Sequence, residues 1–158
     1  MFSFFTKKKD NKLYSPVDGK TIAIENVKDE TFAKKILGDG IAFEINNDIV
    51  CSPCDGKLEL ITETSHAFIV RNENGAQVMV HIGLNTVALN GQGFTRVCSE
   101  GQKIKKGDSI IQLDRHFMEK NDIDLTTMLI ITEDNGLVPK FLQQGESVIV
   151  GDTVAIME

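Results

Sequence analysis

The sequence lacks the features of disulfide-stabilised, membrane-spanning and nucleic-acid-binding proteins. Its three cysteines are an odd number among 158 residues, which does not suggest a disulfide framework and favours a reducing cytoplasm. No apolar run approaches the roughly 20 residues that are needed to cross a bilayer. Acidic residues outnumber basic ones by 23 to 17, and a net charge of −6 argues against broad nucleic-acid binding. That charge leaves room for a basic protein partner.

The N-terminal segment MFSFFTKKK places apolar residues before lysines, which reverses the order of a secretory signal. Residues 1–10 are therefore predicted to be a flexible tail. Its phenylalanines and lysines could give at most a weak contact with an anionic membrane surface. No linker rich in proline, glycine or serine follows, so residues 11–158 are predicted to form a single domain. The start at Met1 favours a free-standing protein.

Short apolar alternations broken by glycine predict an all-β fold, an antiparallel β-sandwich or barrel-sandwich hybrid. Two internal echoes support this prediction. Residues 15–20 (SPVDGK) recur as residues 52–57 (SPCDGK), and residues 101–110 recur more loosely as residues 145–154. Each member of the second pair is typical of a strand, a Gly-Asp turn and a second strand. The echoes indicate two related halves of one sandwich.

Two short helices are expected to pack on the sheets. Asp29 is a suitable N-cap for a helix that carries Phe32 and Leu37 and ends at Gly38. Asp114 is a suitable N-cap for a second helix, which continues to Lys120.

The cysteine spacing at Cys51 and Cys54 matches the two-residue gap of metal and redox motifs. A second cysteine pair is missing, however, and a Pro-Cys-Asp-Gly turn is sufficient to explain the spacing. We therefore expect both cysteines to be structural, and we expect Cys98 to be a small core residue.

The most informative stretch is a predicted β-hairpin. Residues 67–71 and 77–82 are typical of strands, and the intervening Asn74-Gly75 is a strong short-range hairpin signal. On the second strand one face is apolar and is expected to join the core, through Val78, Val80 and Ile82.

The register of this hairpin determines where two histidines point. A two-residue turn pairs Phe68 with His81 and His66 with Gly83, which makes the histidines diagonal neighbours. A four-residue loop, residues 72–75, places His66 directly opposite His81. Both registers bring the two rings to one face because side chains alternate along a strand. A loop of three or five residues would place them on opposite faces.

Two adjacent imidazoles could hold a metal, move a proton, carry a covalent group, or have no chemical role at all. A catalytic zinc site needs three protein ligands, and Gly83 occupies the position where a His-x-His pattern would add the third. A biotinyl- or lipoyl-type carrier needs an exposed lysine between Met-like neighbours at a turn, and the hairpin at residues 101–108 does not provide one.

Several segments together resemble one protein family. They are residues 64–68 (TSHAF), 80–87 (VHIGLNTV), 38–42 (GDGIA), 91–94 (GQGF) and 101–108. Their residues, order and spacing resemble the glucose-class IIA component of the bacterial phosphoenolpyruvate:sugar phosphotransferase system. The resemblance extends from about Leu13 to Met157 and implies a IIA phosphocarrier domain.

The resemblance implies a role for each matching residue. His81 would accept a phosphoryl group on Nε2 from the histidine-containing phosphocarrier protein and pass it to a cysteine of a IIB domain. His66 would donate to the phosphoryl oxygens, Thr64 would fix the His66 tautomer, and the Gly83 carbonyl would hold the other nitrogen of His81. The chain would thus be a phosphotransferase component with a phosphohistidine intermediate and no cofactor.

A partner-docking surface is also implied, formed by Asp39, Ile41, Phe43, Phe68, Asn85 and Val87. The family usually has aspartate where this chain has Asn85, and that aspartate is expected to meet an arginine of the carrier protein. Asp39 would remain for that contact, so we expect altered docking and not an inactive site.

A second function is compatible with the same residues. The chain could be a regulatory protein whose binding to target proteins depends on its phosphorylation. In such a complex His66 and His81 could share a zinc ion with a carboxylate of the partner.

Overall fold

The computed structural model describes residues 10–158, which form fourteen short strands and two short α-helices. The strands are β1 Lys12–Tyr14, β2 Gly19–Ala23, β3 Asp39–Ile45, β4 Ile49–Cys51, β5 Gly56–Ile61, β6 Ala67–Asn72, β7 Gln77–Ile82, β8 Phe94–Arg96, β9 Lys103–Ile104, β10 Ser109–Leu113, β11 Thr127–Glu133, β12 Pro139–Phe141, β13 Ser147–Val148 and β14 Thr153–Met157. The helices are α1 Glu30–Ala33 and α2 Arg115–Lys120, with 3₁₀ turns at Ile24–Asn26 and Thr86–Leu89.

The strands form three antiparallel sheets. The largest has eight strands in the order β13-β2-β3-β11-β7-β6-β5-β9, and the two smaller ones have the orders β1-β14-β12 and β4-β10-β8. One apolar core unites residues of all three sheets, including Phe43, Phe68, Ile111 and Val154. The predicted all-β antiparallel sandwich is therefore confirmed. The predicted tail lies outside the described residues except for Asp10. In the described part of the chain, no helix has the length and apolar character needed to cross a membrane.

The two halves share a local structure that the sequence echo predicts. In the first half, the buried Ser15 hydroxyl donates to the Val17 carbonyl at 2.6 Å. In the second, the buried Ser52 hydroxyl donates to the Cys54 carbonyl at 2.7 Å. Each hydroxyl thus satisfies a buried carbonyl inside its own turn.

The two echoed turns also exchange backbone hydrogen bonds. The Tyr14 N–H donates to the Pro53 carbonyl, and the Cys51 N–H donates to the Pro16 carbonyl, both at 2.8 Å. We call this reciprocal pair the half-repeat interlock. It joins the two halves through equivalent positions in each.

The two Gly-Asp hairpins, residues 101–110 and 145–154, bind the two echoed turns in the same symmetric way. The Asp18 carboxylate accepts the Val150 N–H, and the Asp55 carboxylate accepts the Lys106 N–H, both at 2.8 Å. Each turn, Val-Asp-Gly in the first half and Cys-Asp-Gly in the second, is therefore fixed to one of the two Gly-Asp hairpins, which confirms the predicted half-repeats.

Helix α1 begins as predicted but ends early. Asp29 accepts the Thr31 N–H at 2.9 Å as the N-cap. Lys35 has a φ of 56°, which stops the helix before the predicted end at Gly38. Ile36 and Leu37 consequently lie in a turn, where their side chains are 68% and 41% exposed.

Helix α2 agrees with its prediction. The Asp114 carboxylate accepts the Phe117 N–H at 3.0 Å, and the helix ends at Lys120. Its Met118 joins the core.

The three cysteines are free thiols. Cys51 and Cys54 are buried, and burial raises the pKa of the Cys51 thiol to about 11 and that of Cys54 still further. Because the thiolate is the reactive form, both side chains behave as structural residues, as predicted. Cys98 is half-buried and packs against the core.

Candidate functional site

The β6–β7 hairpin has neither of the registers that the sequence favours. Arg71 pairs with Gln77 and Ala67 pairs with His81. The Asn72 N–H donates to the Ala76 carbonyl at 2.8 Å, which leaves a three-residue loop with Gly75 at φ 89°. A three-residue loop that ends in a left-handed glycine is a common hairpin alternative. Both predicted registers are therefore wrong.

The two imidazoles are nevertheless neighbours. The ring centroids of His66 and His81 are 4.9 Å apart and the rings are nearly perpendicular, at 81°. His66 precedes the first residue of β6, and Ser65 before it has a left-handed φ of 60°. The alternation of a strand therefore does not apply to His66. The predicted adjacency is confirmed, but a turn produces it and not the hairpin register.

His66 is held by hydroxyl groups of its own turn. The Thr64 Oγ1 lies 2.5 Å from Nδ1 of His66, and the Thr62 Oγ1 lies 3.3 Å from the same nitrogen. The Thr62 hydroxyl also donates to the Ala67 carbonyl at 3.1 Å. Burial lowers the pKa of His66. The Thr64 contact agrees with the sequence interpretation, whereas that interpretation missed Thr62.

His81 lies on β7, whose neighbours in the sheet are β6 and β11. Its ring packs against Phe32 of α1, with centroids 4.9 Å apart and a tilt of 58°. Burial is the main cause that lowers the pKa of His81 to about 4; the nearby His66 contributes to the lowering, while the Gly83 backbone and Asp29 oppose it. Both histidines are therefore neutral at pH 7.

The second nitrogen of His81 is buried. Nδ1 has no hydrogen-bond partner among residues 10–158, although the Gly83 backbone is near enough to favour the protonated ring. The predicted bond to the Gly83 carbonyl is thus not formed with hydrogen-bond geometry. Because Nδ1 is enclosed, Nε2 is the nitrogen that His81 offers at the surface.

Both histidines line an open depression of about 410 Å³. Its lining residues are Asp29, Thr31, Phe32, Leu37, Thr62, His66, Ala67, Met79, His81, Asn85, Thr86 and Val87. Asp29 is the one carboxylate among them. Val87 is 56% exposed, and Asn85 is exposed with a left-handed φ of 58°. The depression therefore combines an imidazole pair, one acidic group and apolar side chains.

Three residues predicted to dock partners lie in the core. Ile41, Phe43 and Phe68 are at most 1% exposed, so their side chains have no surface to offer and these predictions are wrong. Ile41 and Phe43 occupy the inner face of β3, and Phe68 is paired with Val80 of the core face of β7.

Asp39 also lies outside the depression. Its carboxylate is 3.4 Å from the Lys35 ammonium, and it borders a different cavity. Asn85 and Val87 do line the depression, as the prediction required. The sequence interpretation missed Asp29, which it used only as a helix cap, and Phe32. No sequence signal pointed to their place in the depression, because α1 meets His81 only through tertiary packing.

Comparison with known proteins gives consistent results. Residues 11–137 match the family described as phosphoenolpyruvate-dependent sugar phosphotransferase system, EIIA 1. The glucose-specific EIIA component of Borreliella burgdorferi is 41% identical over 132 residues, which are 84% of this chain and 70% of that protein. The glucose-specific EIIA component of Haemophilus influenzae is 35% identical over 94% of this chain and 92% of its own length.

Two further likenesses concern a fused protein and a solved structure. The N-acetylglucosamine-specific EIICBA component of Klebsiella pneumoniae is 36% identical over 89% of this chain, which spans only 22% of that protein. The glucose permease IIA of Mycoplasma capricolum superimposes with a TM-score of 0.87 and 32% identity, over 97% of this chain and 99% of that one. Since the family match covers most of the sequence, the chain belongs to the EIIA 1 family of the phosphoenolpyruvate-dependent sugar phosphotransferase system.

Proposed function

We propose that this chain carries a phosphoryl group in sugar uptake, on Nε2 of His81. The group would come from the histidine-containing phosphocarrier protein and pass to a cysteine of a IIB domain. The observation that carries the proposal is the neutral His81 imidazole, which is placed in an open depression 4.9 Å from a second imidazole.

The electronic state of His81 suits both transfers. With a pKa of about 4, its ring is neutral at neutral pH, and a ring proton on the enclosed Nδ1, beside the Gly83 backbone, leaves the free electron pair on Nε2. That pair attacks the phosphorus of the donor phosphohistidine, the donor P–N bond breaks, and the donor nitrogen keeps the electron pair of that bond. In the second transfer the IIB thiolate attacks phosphorus and the bond to His81 breaks. Phosphoryl transfer of this kind asks the protein mainly for positioning and charge stabilisation.

His66 supplies the charge stabilisation. The Thr62 hydroxyl donates to the Ala67 carbonyl, so the Thr64 hydroxyl is the group that can donate to Nδ1 of His66. A donor at Nδ1 places the ring proton on Nε2. From there the N–H of His66 donates to a phosphoryl oxygen on the adjacent His81.

The depression supplies the docking surface. Leu37 and Val87 are exposed apolar side chains at its rim, and Asp29 contributes a carboxylate beside His81. A partner with a basic side chain among apolar ones would complement this surface. Its docking would also exclude water that could hydrolyse the phosphohistidine. Asp29 thus takes the role that the sequence interpretation gave to Asp39.

The comparisons favour a carrier over a purely regulatory binding protein. The name of the fused EIICBA relative joins A and B parts in one chain, which supports a IIB domain as the acceptor. Zinc shared with a partner carboxylate stays a prediction. Residues 10–158 contain no cluster of three or more candidate ligands, so His66 and His81 would need the partner to complete such a site.

The test is phosphorylation by the purified upstream components. The chain is incubated with labelled phosphoenolpyruvate, enzyme I and the histidine-containing phosphocarrier protein. We expect an acid-labile, base-stable label on the wild type and none on His81→Gln. His66→Gln should accept the label but pass it slowly to a IIB domain. A label that survives His81→Gln would overturn the assignment.

A further inference from the structure

The turn that carries His66 contains an unfavourable backbone conformation. Ser65 adopts a left-handed φ of 60°, although it is not glycine. Within the turn, the Ser65 N–H donates to the Thr62 carbonyl at 2.8 Å. Thr64 and His66 lie on either side of Ser65, so the conformation of Ser65 determines whether the Thr64 hydroxyl reaches Nδ1 of His66. The turn therefore needs support at Ser65.

Arg96 provides this support from a different sheet. It belongs to β8, which pairs with β10, whereas His66 leads into β6 of the eight-stranded sheet. Its Nε donates to the Ser65 hydroxyl at 2.9 Å, and its Nη2 donates to the Thr62 carbonyl at 2.8 Å. One planar guanidinium thus holds the first and the fourth residue of the turn.

The charge of Arg96 is not used in an ion pair. Within residues 10–158, no carboxylate lies within ion-pair distance of its guanidinium, whereas Arg71 and Arg115 each have glutamate partners. Both donors that Arg96 uses are directed at the His66 turn. Its contacts therefore fix this turn and do not neutralise a charge.

We propose that Arg96 is a positioning residue for phosphoryl transfer, which holds the Thr62–Ser65 turn so that Thr64 orients His66. The proposal rests on the proposed function for its kinetic consequence. Without the guanidinium, Ser65 can leave the left-handed region and the Thr64 hydroxyl moves away from Nδ1. His66 then loses its fixed tautomer and no longer presents an N–H to the phosphoryl group.

The test compares Arg96→Met with the wild type by two readouts. In ¹⁵N-imidazole NMR of the unphosphorylated protein, we expect a single Nε2–H tautomer of His66 in the wild type and a mixture in the variant. In single-turnover transfer to a IIB domain, we expect the transfer rate to fall roughly 10- to 100-fold. The KM for the carrier protein, measured in phosphorylation of the chain, should be unchanged. Arg96→Lys should restore part of both, because an ammonium can reach one of the two acceptors but not both.

Arg115→Met is the matched control. The Arg115 guanidinium also donates to a loop carbonyl, that of Asn47, at 3.1 Å, but neither residue lines the depression that contains the histidines. It should leave the His66 spectrum and the transfer rate unchanged. Ser65→Ala is the second variant in case Arg96→Met does not fold, because it removes only the acceptor of Nε. It should produce a smaller tautomer shift in the same direction.

The outcomes separate the two proposals. A folded Arg96→Met with the wild-type His66 spectrum and transfer rate would overturn the role of Arg96, and so would an unchanged spectrum in Ser65→Ala. The NMR arm uses unphosphorylated protein, so its result stands even if His81 accepts no phosphate. Failure of labelling in the wild type would instead contradict the proposed function.

Discussion

At the scale of single residues, the site depends on keeping two imidazoles uncharged. Burial is the main cause of the lowered pKa of both His66 and His81, and their proximity adds to the shift of His81. A neutral His81 is ready to attack phosphorus at any pH above about 5. The same burial makes the folded protein sensitive to acid, because a proton must enter an unfavourable site.

The first prediction concerns the pH dependence of stability. The folded pKa of His81, about 4, lies below its unfolded value of about 6.5, so the unfolded chain binds more protons in that window. The free energy of unfolding should therefore fall as the pH drops from 6.5 towards 4. His81→Gln should make this decline shallower, as measured by urea unfolding at several pH values.

His116→Gln is the control for this measurement, because His116 is exposed on α2. Both variants lose one histidine, but only His81→Gln alters the depression. A profile that is equally steep in the wild type and in His81→Gln would contradict the prediction.

The second prediction concerns the charge at Asn85. Asparagine and aspartate both tolerate the left-handed backbone that this position adopts, so Asn85→Asp should fold normally. It adds a carboxylate to a depression that already contains Asp29. We expect faster phosphoryl acceptance from a standard carrier protein, with a gain that declines as salt is added.

Asn90→Asp is the matched control for Asn85→Asp. Asn90 is also exposed and left-handed, with φ 52°, but it does not line the depression. Its acceptance rate should equal that of the wild type. An Asn85→Asp rate that is no higher than the wild-type rate would count against carrier docking at this position.

At the scale of elements, sequence patterns predict the strands well and their registers poorly. The bounds of β7 agree with the prediction, since the alternation of Val78, Val80 and Ile82 determines which face is buried. The loop before it is ambiguous, because Asn-Gly suits turns of several lengths. The observed register differs by one residue from each predicted register, and it places Phe68 in the core and not at the docking surface. The docking role predicted for Phe68 was consequently wrong.

The third prediction concerns the segment between β7 and the Thr86–Leu89 turn. Gly83 has φ 81°, and a Cβ there would lie 2.4 Å from the Thr86 Cγ2 and 2.9 Å from the Asp124 carbonyl oxygen. Gly83→Ala should therefore lower the free energy of unfolding by more than about 2 kcal/mol, measured by denaturant titration.

Gly107→Ala is its matched control. Gly107 has a similar φ of 84°, but a Cβ there would meet nothing within 4 Å. It should cost only the backbone conformation, about 1 kcal/mol. Equal losses for the two variants would show that steric contact at Gly83 is unimportant.

The fourth prediction concerns the turn after α1. Leu37 is 41% exposed and lines the depression, so Leu37→Asp should disturb docking and not folding. We expect the lost apolar contact to outweigh the added charge, so that the KM for the carrier protein rises by roughly 10-fold with an unchanged melting temperature. Val138→Asp, which alters a 63% exposed valine outside the depression, should change neither quantity. A KM for Leu37→Asp equal to that of the wild type would show that the carrier protein docks at another surface.

At the scale of the whole molecule, the internal echoes predict two related halves, and the structure contains them. The echoes do not predict the order of the eight-stranded sheet, because that order depends on pairing between distant segments such as β3, β11 and β7. The site was predictable as a pair of histidines from the residues that flank them. Its acidic and aromatic neighbours, Asp29 and Phe32, were not, because α1 reaches His81 only through tertiary packing.

The half-repeat interlock has a consequence for the order of synthesis. Tyr14 near the start of the chain needs the carbonyl of Pro53, and the Ser15 N–H donates to the Asp152 carbonyl at 2.7 Å. Asp152 is synthesised long after Ser15, so the turn at Ser15 waits for a distant later segment before its hydrogen bonds are complete. Such long-range closure slows folding. The nascent chain can therefore complete its sandwich only after the segment that contains Asp152 has left the ribosome.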